Sequence, residues 1–268
     1  MLKNPFLDPN ECISLPKHVA IILHDRDPAN HPSSEMVEDF DAHLPENYLR
    51  QIVRNSTETS ISHLTLICPN AGNITGIKDK AGNSDIFTYL FGSDPQWLID
   101  NGICLSYFAN RNDLSPETLL RLKKLENCTA KNHNFHLTIA AGYDGSLSIL
   151  NAVTKIAILV KSGDIDPDDI SPDLIGEYLH PTGLGYCNST PEPALEPALD
   201  PDPDPDPDLI IITGGIKRLD NTCLWQSAYS EFVFCETPWN EFSSTHFFAA
   251  LTEFTSRERR FGGLIDAK

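Results

Sequence analysis

Six short β-branched or aromatic runs most restrict the folds open to this chain: residues 18–23 (HVAIIL), 63–68 (HLTLIC), 103–108, 135–140 (FHLTIA), 208–213 (DLIIIT) and 231–235 (EFVFC). Helical patterns alternate with them, which predicts an α/β fold: a single six-stranded, mainly parallel sheet flanked by helices on both faces. Ser115-Pro116-Glu117 places a cap and a proline at a helix start, and Leu119, Leu122 and Leu125 then recur at helical spacing. Ile149, Val153, Ile156 and Val160 form a second apolar stripe ending at Ser162-Gly163, and Ser171-Pro172-Asp173 opens a third helix. Ligands of such sheets bind at the carboxyl ends of the strands, so the loops after Leu23, Cys68 and Thr213 are where a site is expected.

Composition narrows the function classes. With 268 residues and 40% hydrophobic content the chain can bury one sizeable core, and residues 1–268 are expected to form a single domain. The strongest apolar stretches, Ile156 to Val160 and Leu209 to Ile212, fall short of the roughly 20 residues that span a bilayer, so no transmembrane segment is expected. Met1 to Cys12 lacks the apolar run of a secretory signal, and the expected location is cytoplasmic. Seven widely spaced cysteines without a CxxC pair read as buried, reduced thiols. A net charge of −18 repels phosphate backbones and argues against a nucleic-acid partner. Residues 191–208 (PEPALEPALDPDPDPDPD) alternate proline with acid and are expected to be a disordered insertion.

Four stretches carry a family resemblance. Leu15 to Leu23 resembles the opening strand of the cis-prenyltransferases, the family of undecaprenyl diphosphate synthase. Leu137 to Gly145 (LTIAAGYDG) is similar to the family's LNIAANYGG, and Asp208 to Gln226 (DLIIITGGIKRLDNTCLWQ) to DLIIRTGGEKRLSNFLLWQ. Arg257 to Gly263 reads RERRFGG, as the family's C-terminus does. The resemblance implies a homodimer with an apolar tunnel, Mg²⁺ as cofactor and a prenyl diphosphate as ligand. It implies peripheral membrane contact only through a lipid product. Candidate substrate-binding residues by this resemblance are Asn73, Thr213, Gly214, Gly215, Arg218, Arg257, Arg259, Gly262 and Gly263, with Glu231 as a metal-site carboxylate.

The departures fall on the chemistry. Where the family reads DGNGRWA after the first strand, this chain has His24-Asp25-Arg26-Asp27-Pro28-Ala29-Asn30, so the metal-holding aspartate is His24. Imidazole suits Mg²⁺ poorly, which leaves Asp25 as the metal candidate and His24, Asp25 and Asp27 as candidate catalytic groups. The family's FSSENW stands here as Pro69-Asn70-Ala71-Gly72-Asn73-Ile74. The arginine that clamps isopentenyl diphosphate is Ile212, the following glutamate is Ile216 and a serine is Asp220.

Each candidate has a structural reading beside the functional one. Arg218 is either a phosphate ligand or the salt-bridge partner of Asp220 or Glu231. Gly214-Gly215 either cradles phosphate or supplies a turn with positive φ. His24 is either a hydrogen-bonded structural histidine or an acid–base group. Trp225, Tyr229 and Phe232 read as core and dimer packing. Two functions follow: an enzyme acting on an allylic prenyl diphosphate by non-standard transfer, cyclisation or elimination, or a catalytically silent subunit of a prenyltransferase.

Overall fold

The computed structural model describes residues 14–24, 48–68, 96–109, 116–179 and 206–259. The strands are β1 His18–Ile22, β2 His63–Cys68, β3 Ile103–Ala109, β4 Phe135–Ala141, β5 Leu209–Ile212 and β6 Glu231–Phe234. The helices are α1 Tyr48–Thr57, α2 Gln96–Asp100, α3 Pro116–Thr129, α4 Gly145–Ser162, α5 Pro172–Leu179 and α6 Ser244–Ser256. All six strands join one sheet in the order β3-β4-β2-β1-β5-β6, and every pairing is parallel. The expected strands are therefore all present, with ends shifted by a residue or two.

Alternation of side chains divides the core between the two faces of the sheet. On one face Val19, Ile21, Leu64, Leu66, Leu137 and Ile139 pack beneath α1, α3 and α6, which contribute Ile52, Leu122, Phe247 and Leu251 to the larger cluster. On the other face Ala20, Ile22, Ile67, Ala140, Ile210 and Ile212 meet Tyr143, Ile216 and Cys223 in a smaller cluster. At the amino end of that second face, Cys104, His136, His63 and His18 stand in register across β3, β4, β2 and β1. The His63 and His136 rings stack with centroids 4.7 Å apart, and His18 Nε2 lies 2.8 Å from the Thr65 hydroxyl.

Helix α4 corrects one expectation. Its buried residues are Gly145, Ser148, Ala152 and Ile156, whereas Val153 of the expected stripe is 53% exposed. The helix is apolar nearly all round, so periodicity alone could not choose its inner face; small residues let that face lie close. By length and composition α4 is the one described helix that could reach across a bilayer. Its ends are those of a sheet-covering helix: the Asp144 carboxylate accepts the Leu147 N–H at 2.8 Å, and Gly163 closes the helix at φ 85°. The cysteine expectation also needs amendment, since Cys68 and Cys223 are buried but Cys128 is exposed. Residues 191–205 of the acidic segment lie outside the described residues; Asp208, at its end, accepts the Lys17 and His18 N–H groups at 2.8 and 3.2 Å.

Candidate active site

The order of the sheet places a topological switch point between β1, whose chain leads to β2 on one side, and β5, whose chain leads to β6 on the other. His24 and Thr213 to Gly215 sit at the carboxyl ends flanking that point. Thr213 fastens the two ends together. Its buried hydroxyl accepts the His24 N–H at 2.9 Å and lies 3.1 and 3.0 Å from the carbonyls of Ile22 and His24. The His24 carbonyl also accepts the Trp239 N–H at 3.0 Å. The histidine backbone is thus held on both sides, and the residue is only 7% exposed.

The chain then turns through Gly214 and Gly215, at φ 79° and 75°, a conformation only glycine adopts readily. A Cβ on Gly215 would lie 2.8 Å from Glu236 Oε2. The N–H groups of this turn face inward. Thr213 donates to Ile22 O at 3.2 Å, Gly214 to Thr237 O at 2.8 Å and Gly215 to Cys235 O at 2.9 Å. These three donors are engaged in the frame, so of the two readings of Gly214-Gly215 the turn is the one the geometry displays.

Beyond the turn lies a second strained stretch. Asp220, Asn221 and Cys223 have φ of 47°, 63° and 49°. Aspartate and asparagine tolerate this region better than other side chains, and Asn221 is tied down on all sides. Its Oδ1 accepts from Ser146 N and Oγ at 3.0 and 2.7 Å, its Nδ2 donates to Asp144 Oδ1 at 2.8 Å, and its carbonyl takes the Gly145 N–H at 2.8 Å. A Cβ on Gly145 would come within 2.7 Å of that carbonyl. This knot against the start of α4 directs Asp220 back toward β1. One Asp220 oxygen takes the Arg218 Nε–H, and the other lies 3.8 Å from His24 Nε2. Among the described residues only the Nε of Arg218 is engaged. The side chain is 62% exposed, which leaves both Nη groups for an anion.

The remaining sequence candidates sit elsewhere. Glu231 opens β6 in register with Leu209, and Leu209 is level with Val19. His24 lies five residues further along β1, about 16 Å at the usual rise per residue. Arg257 Nη1 binds Glu231 at 2.8 Å and its Nη2 binds Glu253 and the Phe232 carbonyl. Arg259 binds Asp208 at 2.6 Å. Burial alone would disfavour the Arg257 charge, but the Glu231 and Glu253 hydrogen bonds outweigh it and raise its pKa. Burial likewise pushes Asp208 up, and is outweighed by hydrogen bonds from Arg259, His18 and Lys17 that hold the carboxyl below its ordinary range. One chain therefore carries two groups at opposite ends of its sheet: His24, Asp220, Arg218 and Thr213 at one, and Glu231, Arg257, Arg259 and Asp208 at the other. Asp25, Asp27, Asn73, Gly262 and Gly263 lie outside the described residues.

A Mg²⁺ site fits this arrangement poorly. Among the described residues no three His, Cys, Asp or Glu side chains converge to hold an ion, and the Glu231 carboxylate is occupied by Arg257. The position after β1 offers an imidazole, where a hard cation prefers oxygen. Other charges of the family pattern have been replaced by packing. Ile212 and Ile216 are 0% and 5% exposed within the smaller cluster, where burial also pushes the Cys223 thiol up to about 12, the Asp206 charge adding to it. Sequence reading missed the approach of Asp220 to His24. The signal was the Asp220-Asn221 pair, whose tolerance of positive φ permits the sharp return.

Residues 41–262 match the prenyltransferase family described as undecaprenyl diphosphate synthase. The ditrans,polycis-undecaprenyl-diphosphate synthase of Photorhabdus laumondii, described as (2E,6E)-farnesyl-diphosphate specific, is 30% identical over 94% of this chain and 91% of its own length. The tritrans,polycis enzyme of Methanocaldococcus jannaschii, described as geranylgeranyl-diphosphate specific, is 31% identical over 93% of this chain and 83% of its own. Among solved structures, lavandulyl diphosphate synthase from Lavandula x intermedia, in complex with dimethylallyl diphosphate, superposes with a TM-score of 0.66 at 23% identity. That match covers 92% of this chain and 98% of the other. At that identity the likeness speaks for the fold.

Proposed function

The chain belongs to the undecaprenyl diphosphate synthase family of cis-prenyltransferases, and from that premise we propose that it acts on a single allylic prenyl diphosphate instead of elongating one with isopentenyl diphosphate. The observation that carries this reading is the burial of Ile212 and Ile216 in the smaller core cluster, where the family pattern has an arginine and a glutamate. A buried isoleucine supplies no hydrogen bond to a second diphosphate. Arg218, with both Nη groups available, is the cation for the one diphosphate that remains. His24, at the position of the family's aspartate, is the acid–base group. In an elimination, the leaving diphosphate would take the electron pair of its C–O bond. His24 would then remove a proton from the allylic cation, giving a neutral diene and an imidazolium. Cyclisation, or transfer of the prenyl group to another nucleophile, uses the same two residues.

A homodimer accompanies this reading. Phe234 of the edge strand β6 and Tyr229 just before it are exposed, as are Leu224 and Trp225 in the turn that precedes them. Covering them with a second copy would remove an apolar patch from water, and it could bring one chain's tail toward its partner's carboxyl-end site. The protein would work in the cytoplasm and touch a membrane only through a lipid product.

The second reading, a catalytically silent subunit, has its own support: Arg257 and Arg259 are already paired with acids of their own chain. A product screen separates the two. Allylic diphosphates of increasing length, starting at the dimethylallyl size, are incubated with the protein, with and without isopentenyl diphosphate, and analysed by mass spectrometry. The proposal expects a product from the allylic diphosphate alone. Robust formation of longer prenyl diphosphates would refute it, and absence of any product or binding would favour the silent subunit. Arg218→Ala should weaken prenyl diphosphate binding by about 1.5 kcal/mol, the low end for a charged hydrogen bond, because the exposed arginine is screened and shared with Asp220.

A further inference from the structure

We propose that the amino edge of the sheet is a docking site for the chain's own C-terminal tail: Asp208, Glu231 and Glu253 hold Arg257 and Arg259 as an internal strap, which makes these two arginines anchors and not ligands of a diphosphate. No substrate takes part in the strap, so it is compatible with either reading of the activity.

Strand pairing brings the acids together. β5 and β6 run side by side, and the Glu231 N–H donates to the Asp208 carbonyl at 2.8 Å, so the residue preceding β5 and the residue opening β6 are neighbours. They sit on adjacent chains whose backbones lie about 5 Å apart. Glu253, in the last turn of α6, adds a third carboxylate beside them.

The tail has the spacing to meet them. Helix α6 ends at Ser256, and the backbone at Arg257 is extended, with φ −91° and ψ 145°. Alternate residues of an extended chain face the same side, about 7 Å apart, a step comparable with the strand spacing. Arg257 and Arg259 are accordingly both partly buried, while Glu258 between them is exposed. Arg257 reaches Glu231 at 2.8 Å, the Phe232 carbonyl at 2.9 Å and Glu253. Arg259 passes on to Asp208 at 2.6 Å and the Tyr229 carbonyl at 3.4 Å, its guanidinium lying 5.4 Å from the centre of the Phe254 ring. Because Asp208 also accepts the Lys17 and His18 N–H groups, one carboxylate joins the tail to the start of β1.

Charge decides what this edge accepts. The two guanidinium groups are met by three carboxylates, so the five groups together are net negative before any ligand arrives. A diphosphate would have to displace carboxylates from partly buried pairs and add its own negative charge to them. An arginine-bearing segment is the ligand that suits such an edge, and the chain supplies one.

Limited digestion of the full-length native protein with trypsin, read by mass spectrometry, tests the strap. Trypsin takes the arginine side chain into an acidic pocket of its own, so an arginine held by carboxylates has to let go first. The readout is the cleavage rate after Arg257 and after Arg259, each divided by the rate after exposed Arg54 of α1, a ratio that cancels global unfolding. Asp208→Asn keeps an acceptor for the Lys17 and His18 N–H groups but removes the charge on Arg259, and its Arg259 ratio should rise about tenfold, the equivalent of one charged hydrogen bond. Glu231→Gln should raise the Arg257 ratio in the same way. Asp208→Glu, which restores the carboxylate, should bring the Arg259 ratio back toward wild type. Saturating inorganic diphosphate should leave both wild-type ratios unchanged. A ratio that stays at the wild-type level in either neutral variant, an Asp208→Glu ratio as high as that of Asp208→Asn, or a wild-type ratio that moves in either direction with diphosphate would overturn the proposal. Because no prenyl substrate is used, failure here is separate from failure of the product screen.

Discussion

Replacing Thr213 by valine keeps the outline of the side chain and removes one hydroxyl, which makes it a sharp test of whether this residue belongs to the frame or to a ligand site. The hydroxyl serves three groups, but two of them have second partners. The Ile22 carbonyl still accepts the Thr213 N–H at 3.2 Å, and the His24 carbonyl still accepts the Trp239 N–H at 3.0 Å. Only the His24 N–H, buried and donating to Thr213 Oγ1 at 2.9 Å, is left without an acceptor. Leaving one buried donor unsatisfied costs about 1–3 kcal/mol, so a loss of about 2 kcal/mol is expected. For 268 residues, at about 2 cal/mol/K of unfolding entropy per residue, that is a fall in Tm of about 4 °C. Urea unfolding followed by circular dichroism measures it directly. Thr213→Ser, which retains the hydroxyl, should lose only the contribution of a buried methyl, about 1 kcal/mol. A valine variant within about 0.5 kcal/mol of wild type, but with weakened prenyl diphosphate binding, would refute the frame role and restore Thr213 as a ligand contact.

Further outcomes follow from the same geometry. Asp208 has a folded pKa below its unfolded value, so its pairing with Arg259 stabilises the fold above the ordinary carboxylate range and is lost as pH falls through the lowered value. The Tm difference between wild type and Asp208→Asn should accordingly be full at neutral pH and shrink in acid; a pH-independent gap would contradict the linkage. Burial pushes the Cys68 and Cys223 thiols up to about 12, so iodoacetamide should modify exposed Cys128 well before either. Mass mapping of the native protein checks the order, and early labelling of Cys68 would show that the sheet opens there. For the homodimer, Tyr229→Glu with Phe234→Glu should shift the sedimentation of a dimer to that of a monomer; an unchanged sedimentation coefficient would place any interface elsewhere.

How much was legible depended on whether the information is local. The six strands could be read from the sequence because β-branched runs bounded by caps and prolines encode their own conformation, as Pro116, Pro172 and Gly163 did for three helix ends. The absence of a charge at position 212 was equally plain, since isoleucine cannot ionise whatever its surroundings. The inner face of α4 was not legible: with apolar residues on most sides, its choice of Ser148, Ala152 and Ile156 was made by proximity to the sheet. The grouping of the candidate residues was also tertiary. Parallel register sets Glu231 level with Leu209, at the opposite end of the sheet from His24, and the tail arginines follow Glu231 and Asp208 there. Asp220 meets His24 across 196 positions of chain only because a turn at positive φ, knotted to α4 through Asn221, folds the carboxylate back over the end of β1. Residue types declare what chemistry is available; which of them share a site is decided by strand register and turn geometry, and these depend on contacts between distant parts of the chain.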